Sequence, residues 1–335
     1  MHDPRGCFPV GFSGIFWIIT AETKGEIAMA AAVTFEGVFP ILVTPFDEKE
    51  NVDIESFDRV VRFMADIGVD GVTILGVLGE SNRMVDSERE ELIRTAVVAA
   101  GGRIPIVVGT SHKGTAATVY LSRMAQALGA AAVMVTPSKE AVPNDERVFE
   151  YFRMVAEGVA IPIVLQDHPG STEVHMPVPL LLRMVNEIPS VACIKQEAPP
   201  TPARIAALRA GMKDRRVPIL TGLGALYGIF DLERGSGGYM TGFAFPEVLI
   251  AMVKAAREGR IDAAWELYNR FLPLIVFEQQ PGIAIRKEIY RLRGLIATNR
   301  VRHPGAGLQS SAGEQLLSVM DRVLPGVDIT KTLAL

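Results

Sequence analysis

The stretch "PIVVGTSHKGTAATVYLSRMAQALGAAAVMVTP", residues 105–137, contains one complete unit of the pattern that decides the fold. It begins with a β-branched apolar run, continues with a segment of helical spacing at residues 114–129, and returns to a second apolar run at residues 131–135. Neither apolar run alternates with polar residues, which is typical of parallel strands covered on both faces. The stretch therefore predicts a strand–helix–strand unit of an α/β protein.

The same unit recurs on both sides of this stretch. Strand-like runs such as "GVFPILVTPF", "DGVTILGV", "PIVLQD", "VACIKQ", "VPILTGLG" and "GGYMTGFAF" bring the number of strands to eight, and helix-like segments separate most of them. The linker "LYGIFDLERG", before the last strand, is short. Eight units in about 225 residues match a (β/α)8 barrel. A doubly wound open sheet is the competing α/β fold, but its G-x-G-x-x-G signature is missing after the first strand.

We therefore predict three parts of the chain. Residues 37–260 form a (β/α)8 TIM barrel, and residues 261–335 form a C-terminal helical extension that packs on the barrel or on a neighbouring subunit. The amphipathic segments "IDAAWELYNRFLPLIVFEQQ", "GIAIRKEIYRLRGLI" and "AGEQLLSVMDRVL" contain too few apolar residues for a core of their own. Residues 1–36 are expected to be a poorly ordered leader, with translation from Met29 as one explanation.

Composition and charge narrow the class of protein. The net charge is −4 and no basic tract runs through the chain, which argues against a nucleic-acid partner. The apolar run at residues 10–19 is too short to span a bilayer and makes a weak signal peptide. Cys7 and Cys193 lie far apart and do not resemble a disulfide framework. We expect a cytoplasmic protein without a membrane partner.

A lysine at the end of an apolar strand marks the candidate site. In "SVACIKQEAPP", residues 190–200, Lys195 follows the sixth strand and Glu197 comes two residues later. Active sites of these barrels lie at the carboxyl ends of the strands, and a desolvated lysine can attack a carbonyl group. The alternative is a lysine that extends to solvent or pairs with Glu197. Position alone leaves both interpretations open.

Several motifs in register resemble a known family. The opening "GVFPILVTPFDE", the turn "GVLGE" at residues 76–80, the stretch at residues 109–137 and Lys195 occur in the order found in the family of dihydrodipicolinate synthase and N-acetylneuraminate lyase. The resemblance covers roughly residues 37–300 and includes "LQDHPGST" after the fifth strand. The two glycines of the turn are typical of a segment that presents backbone N–H groups to an anion.

The resemblance implies a class I, Schiff-base lyase that acts on a 2-oxo acid. Lys195 would form the imine, and the electron sink that this creates would make a C3 proton removable. No metal or organic cofactor is implied, and the five histidines show no metal-ligand spacing. The resemblance also implies a homotetramer built as a dimer of dimers.

Departures from the family pattern favour one branch of it. Gln166 stands where the synthase and the sialic acid lyase have a proton-relaying tyrosine, and Ser171 stands where the synthase has an arginine. Val77 and Leu78 replace the paired hydroxyl residues of the turn. With Lys-x-Glu on the sixth strand, the pattern resembles the branch that dehydrates 2-keto-3-deoxy sugar acids such as 2-keto-3-deoxy-L-arabonate.

The expected site has two groups of residues. The catalytic residues are Lys195, Glu197 as the acid–base group, and Gln166. The substrate-binding residues are Gly76, Val77, Leu78, Gly79, Ser81, Asp167, Gly222 and Met240. Alternatives stay open for three of them: Glu197 as a carboxylate that only neutralises Lys195, and Gln166 with Asp167 as a turn that ends the fifth strand. His168 is expected to be a loop residue.

Three alternatives to dehydration remain. A pyruvate-releasing aldolase shares every step up to the enamine, and pyruvate release would identify it. A 4-hydroxy-tetrahydrodipicolinate synthase would lack its tyrosine, its arginine and its hydroxyl relay. A non-catalytic sugar-acid sensor belongs to a different class of protein, and the retention of Lys195 argues against it.

Overall fold

The computed structural model describes residues 33–140, 144–280 and 282–335. Nearly all of the expected leader, residues 1–36, lies outside the described residues. No helix within the described part of the chain is long and apolar enough to cross a membrane.

Eight parallel strands form one sheet that closes on itself. Its order is β1-β8-β7-β6-β5-β4-β3-β2, and a parallel bridge between Ile41 and Thr73 joins the two ends. The strands are β1 (Gly37–Val38), β2 (Val72–Ile74), β3 (Ile106–Gly109), β4 (Ala132–Val135), β5 (Ile163–Asp167), β6 (Val191–Gln196), β7 (Ile219–Thr221) and β8 (Gly238–Tyr239). The predicted (β/α)8 TIM barrel is confirmed.

The first strand is shorter than the run "GVFPILVTPF" predicts. Pro40 has no backbone N–H and cannot continue the ladder, so the regular strand ends at Val38. The chain still follows the barrel, because Leu42 N donates to Thr73 O at 2.8 Å and Thr73 N donates to Pro40 O at 2.8 Å.

Helices cover the outside of the barrel. They are α1 (Ile54–Asp66), α2 (Asp86–Ala100), α3 (Thr115–Ala127), α4 (Asp145–Gly158), α5 (Pro169–Thr172), α6 (Val178–Glu187), α7 (Thr201–Gly211), α8 (Gly228–Glu233), α9 (Pro246–Arg257), α10 (Ile261–Phe277), α11 (Gly282–Leu292) and α12 (Ser310–Val323). Helix α8 lies in the segment "LYGIFDLERG", which the sequence analysis described only as a short linker.

Local sequence explains where these helices begin. The Asp53 side chain accepts a hydrogen bond from Ser56 N at 3.0 Å, so it caps the first turn of α1. The apolar face of α1 that spacing predicts is buried against the sheet.

Two apolar layers form the core. The barrel interior contains Phe35, Phe39, Ile41, Val107, Ala132, Met134, Val164, Cys193, Leu220 and Met240. A larger cluster fills the space between the sheet and the helices and includes Leu165, Ile194 and Ile219. Side chains alternate between the two layers along each strand. On β6, Cys193 points inward and Ile194 outward, so Lys195 points into the barrel.

The C-terminal extension packs against the barrel through helix α10. Tyr268 Oη donates to Leu226 O at 2.6 Å, and the ring of Phe271 lies edge-on to that of Phe243 with centroids 6.5 Å apart. Arg293, just after α11, donates to Ala244 O at 2.9 Å. These contacts bring the extension to the carboxyl ends of β7 and β8. The division of the chain at residue 260 stays a prediction.

Candidate active site

A cavity of about 140 Å³ opens at the carboxyl ends of the strands. Its lining combines the ends of β5 and β6, the turns after β2, β7 and β8, and two residues of the C-terminal extension. The lining residues are Ile41, Val77, Leu78, Met134, Gln166, His168, Lys195, Glu197, Leu223, Gly224, Thr241, Gly242, Gln279 and Arg286. The structure therefore brings the three expected catalytic residues, Lys195, Glu197 and Gln166, into one cavity.

Lys195 is the centre of this arrangement. It lies two residues after the inward-facing Cys193 and is only 4% exposed. Its Nζ atom is 3.0 Å from Glu197 Oε2. A buried ammonium group requires such a partner, and the cavity leaves its other side accessible to a small ligand.

Glu197 is held by four groups. Gln166 Nε2 donates to Oε2 at 2.6 Å and Leu223 N donates to Oε1 at 3.1 Å, while Lys195 and His168 supply positive potential. Burial alone would raise the pKa of Glu197, but Lys195, His168 and these two donors together outweigh it and hold the pKa below the ordinary value. The carboxylate therefore stays ionised near neutral pH and can accept a proton.

The turn at residues 76–80 presents free backbone donors. Gly79 N donates to Gly76 O at 3.1 Å and Glu80 N donates to Val77 O at 3.1 Å, so these two amides are used within the turn. The backbone N–H groups of Val77 and Leu78 donate no hydrogen bond in the part of the chain that the structure describes. Both residues line the cavity, so these two N–H groups are available to an anion.

The backbone just before this turn is in a strained conformation. Leu75 has φ of 55°, in the left-handed region that branched residues avoid. Such a conformation costs about 1–3 kcal/mol and persists only where the surrounding structure enforces it. Thr44 contributes to that support, since its Oγ1 donates to Gly79 O at 2.7 Å.

A buried ion pair under the turn was not predicted from the sequence. Glu80 accepts hydrogen bonds from Lys287 of α11, from Arg83 at 2.6 Å and from Arg302 N at 3.0 Å. The side chains of Glu80 and Lys287 are fully buried. The final glutamate of the turn therefore ties the turn to the C-terminal extension.

Of the eight expected substrate-binding residues, Val77 and Leu78 are in the cavity lining and the other six are not. Asp167 faces outward, where it accepts from Arg204 Nη2 at 2.8 Å and from Gln196 Nε2 at 3.0 Å, because alternation on β5 sends Gln166 inward and Asp167 outward. Met240 packs in the barrel interior. Gly79 packs against the backbone of Leu75, where a Cβ atom would lie 3.0 Å from Leu75 N. Ser81 follows Glu80, whose φ of 54° turns the chain.

Gly76 and Gly222 lie next to the cavity lining. A Cβ atom at Gly76 would lie 3.2 Å from Ile41 Cγ2, a lining residue, so glycine allows the turn to approach the barrel. At Gly222 a Cβ atom would lie 2.2 Å from Glu197 Cγ. Gly222 therefore packs against the Glu197 side chain.

His168 lies in the cavity, although the sequence analysis expected a loop residue without a role. Its Nδ1 atom is 2.6 Å from Ser171 Oγ. Burial lowers the pKa of His168, and the negative charge of Glu197 opposes that shift. His168 lies two residues after the inward-facing Gln166. Side chains at this spacing point to the same face of a strand, so the sequence already indicated an inward position for His168.

Gln279 and Arg286 are among the cavity residues that were not predicted from the sequence. They lie in the C-terminal extension, more than eighty residues after Lys195 in the chain. A sequence feature that could have indicated Arg286 is its place among the apolar residues of an amphipathic helix. Ile285 and Ile289 of α11 are buried beside it. Within the described ranges no group of three or more His, Cys, Asp or Glu side chains converges to hold a metal ion.

Comparison with known proteins agrees with this geometry. The model of the dihydrodipicolinate synthetase family matches residues 34–322. An L-2-keto-3-deoxyarabonate dehydratase of Azospirillum brasilense is 37% identical over 294 residues, covering 86% of this chain and 94% of that enzyme. A 4-hydroxy-tetrahydrodipicolinate synthase of Persephonella marina is 31% identical over 290 residues, covering 85% of this chain and 97% of that enzyme.

A solved structure gives the same result in three dimensions. The crystal structure of dihydrodipicolinate synthase from Rhodopseudomonas palustris superposes with a TM-score of 0.82 at 36% identity, covering 86% of this chain and 97% of that one. The resemblance noted from the sequence motifs is therefore confirmed, and the chain belongs to the dihydrodipicolinate synthetase family of lyases.

Proposed function

We propose that this protein removes water from a 2-keto-3-deoxy sugar acid through a protonated imine between Lys195 and the C2 carbonyl carbon. The observation that supports the proposal most is the 3.0 Å contact between Lys195 Nζ and Glu197 Oε2 inside the cavity. A base beside the imine nitrogen is within reach of C3, the carbon next to the one that the lysine attacks.

The chemistry follows from these two groups. The Lys195 ammonium passes a proton to Glu197, and the free amine attacks C2. Glu197 then returns this proton to the departing hydroxyl of the carbinolamine, so loss of water gives the protonated imine and an ionised Glu197. The ionised Glu197 removes a proton from C3, and the electron pair forms the enamine. The enamine expels the C4 hydroxyl, which takes the proton from Glu197 and leaves as water. Hydrolysis of the remaining imine frees Lys195 and the dehydrated 2-oxo acid.

The substrate carboxylate is assigned to the turn after β2. The free N–H groups of Val77 and Leu78 supply two donors, and the side chains at these positions carry no hydroxyl that could take part. Hydrogen bonds to a charged acceptor contribute about 1.5–3 kcal/mol each. Two backbone donors are therefore sufficient to orient the carboxylate.

Dehydration is favoured over the other reactions of the family mainly by the residues of the site. The L-2-keto-3-deoxyarabonate dehydratase is 37% identical to this chain, against 31% for the Persephonella marina synthase and 36% for the Rhodopseudomonas palustris synthase. Gln166 has no ionisable proton to relay, and Ser171 Oγ is engaged with His168 Nδ1. We expect negligible condensation of pyruvate with aspartate semialdehyde.

The test is product analysis with purified protein. A 2-keto-3-deoxy pentonate or hexonate should lose water without release of pyruvate. Stoichiometric pyruvate would establish the aldolase instead, and efficient condensation with aspartate semialdehyde would establish the synthase. Glu197→Gln should slow dehydration by about a hundredfold or more, while borohydride still traps the imine at Lys195.

A homotetramer in the cytoplasm completes the proposal. Exposed apolar side chains such as Val276 and Leu317 on the extension support assembly. Light scattering should give four times the chain mass, and a monomer at micromolar concentration would contradict it. Cell fractionation should recover the protein with the cytoplasm.

A further inference from the structure

We infer that Arg286 and Gln279 of the C-terminal extension form a subsite for the hydroxyl-bearing end of the substrate. The inference rests on the proposed function, because it assumes a 2-oxo acid anchored at Lys195. Arg286 and Gln279 would recognise the end of the substrate that lies away from the reacting carbons. This subsite also gives the extension a direct role in specificity.

Arg286 is oriented by an ion pair beneath the cavity. Its Nε atom donates to Glu278 Oε2 at 2.9 Å, and Glu278 is fully buried and also accepts from Ala244 N at 3.2 Å. The terminal nitrogens Nη1 and Nη2 make no hydrogen bond to any residue that the structure describes. Since Arg286 lines the cavity, these donors are available to a ligand.

Gln279 supplies the complementary acceptor. Its Nε2 atom donates to Ile275 O at 2.8 Å, which fixes the orientation of the amide. Its Oε1 atom accepts no hydrogen bond within the described ranges. A hydroxyl group both donates and accepts, so guanidinium donors beside an amide oxygen match a hydroxyl better than a carboxylate, which only accepts when ionised.

The turn after β7 is shaped to admit these two side chains. A Cβ atom at Gly224 would lie 2.2 Å from Gln279 Nε2 and 2.9 Å from Arg286 Nη2. Leu223, Gly224 and Ala225 have φ of 52°, 63° and 64°, three consecutive residues in the left-handed region. Non-glycine residues adopt this conformation at a cost. The strained turn thus allows the extension to approach the cavity.

The same turn relates the subsite to the reacting centre. Leu223 N donates to Glu197 Oε1 at 3.1 Å, and the next residue, Gly224, contacts Arg286 and Gln279. Adjacent Cα atoms are about 3.8 Å apart, so the two contacts are separated by little more than the length of one residue. A five- or six-carbon acid bound at Lys195 can span this distance.

Charge also favours a neutral terminus. Where Glu278 is ionised, it neutralises Arg286, and Glu197 neutralises the protonated imine, so the substrate's C1 carboxylate is left as an uncompensated negative charge. Burial raises the pKa of Glu278 to about 7, and the Arg286 charge opposes that shift. A second substrate carboxylate would add another buried charge, whereas a hydroxyl adds none.

The test compares a sugar acid with pyruvate, which is too short to reach the subsite. Arg286→Met should weaken binding of a 2-keto-3-deoxy pentonate by about ten- to a hundredfold, the range for hydrogen bonds to a charged group. Binding is measured as the pentonate concentration that halves the pyruvate adduct on Lys195 after borohydride reduction, and mass spectrometry separates this adduct from the heavier one that the pentonate itself forms. Trapping by pyruvate alone should stay within about twofold of wild type.

Matched variants keep the result interpretable. Arg291→Met, which removes a surface arginine paired with Glu288, should leave both measurements unchanged. Because Arg286→Met leaves Glu278 buried without its partner, the double variant with Glu278→Gln repeats the experiment with a neutral side chain. Gln279→Leu should weaken pentonate binding by about threefold to tenfold.

Two outcomes would overturn the inference. One is equal loss of pentonate and pyruvate binding in Arg286→Met and in the double variant, which would indicate general damage. The other is a 2-keto-3-deoxy acid with a second carboxylate protecting Lys195 better than the pentonate does. A wild type that binds the pentonate without dehydrating it would contradict the proposed function but leave the subsite standing.

Discussion

Two buried lysine–glutamate pairs lie near the cavity, and their surroundings differ. Lys195 and Glu197 face the cavity, and the carboxylate is otherwise held by neutral donors, Gln166 Nε2 and Leu223 N. Lys287 and Glu80 are sealed below the turn after β2. Lys287 Nζ also donates to Arg300 O at 2.7 Å and lies 4.3 Å from the centre of the Phe46 ring.

The difference separates the pair that we propose to react with substrate from a pair that is only structural. In the sealed pair each partner is surrounded by further partners, and Arg83 adds a second positive charge beside Glu80. Burial lowers the pKa of Lys287 to about 8, but the side chain is fully buried and does not line the cavity that contains Lys195. A depressed lysine pKa therefore does not by itself identify a nucleophile, and access to the nitrogen is required as well.

The largest expected effect is chemical modification of one lysine and not the other. With borohydride and pyruvate, mass spectrometry should find the adduct on Lys195, and Lys287 should be unmodified. Lys195→Ala should show no adduct and lose activity by orders of magnitude, because the covalent route has no substitute. Modification of Lys287 in folded protein would mean that accessibility does not distinguish the two pairs.

The second effect concerns stability. Lys287→Met leaves Glu80 buried without its main partner, so we expect the free energy of unfolding to fall by about 3–5 kcal/mol. Denaturant unfolding measures this directly. The double variant with Glu80→Gln should be less destabilised than the sum of the two single variants, and strict additivity would contradict coupling between the two side chains.

A third, smaller effect tests the neutral donors of the reactive pair. Gln166→Leu removes a hydrogen bond from ionised Glu197, which raises the pKa of that carboxyl. The ionised form is the base. As the pH is lowered, kcat/KM should therefore begin to decrease at a higher pH in the variant than in wild type. Gln196→Leu changes an amide on the neighbouring strand β6 that faces outward to Asp167, so the acid side of its pH profile should match that of wild type.

The smallest effect concerns the turn between the two pairs. Ser81 lies outside the cavity lining, so Ser81→Ala should leave KM within about twofold of wild type. Thr44→Val removes the hydrogen bond to Gly79 O that supports the turn, and it should raise KM by about threefold to tenfold. If Ser81→Ala raised KM more than Thr44→Val does, Ser81 would have to be counted as a substrate-binding residue.

Much of the site was accessible from the sequence because it follows strand ends. Once eight strands are recognised, the polar residues at their carboxyl ends must meet at one mouth, which predicted Lys195, Glu197 and Gln166. The alternation of side chains within a strand was harder to read, since strands covered on both faces are apolar at every position. Asp167 was therefore assigned to the cavity, although it faces outward to Arg204.

The sequence by itself determined the repeated strand–helix unit, the barrel and the position of Lys195 at its mouth, because these depend on local periodicity and on chain order. Only the tertiary structure decided that Arg286 and Gln279 line the cavity and that Lys287 pairs with Glu80, 207 residues away. Such contacts depend on how the extension packs over the closed barrel. Side-chain pairing across that distance leaves no periodic pattern in the sequence.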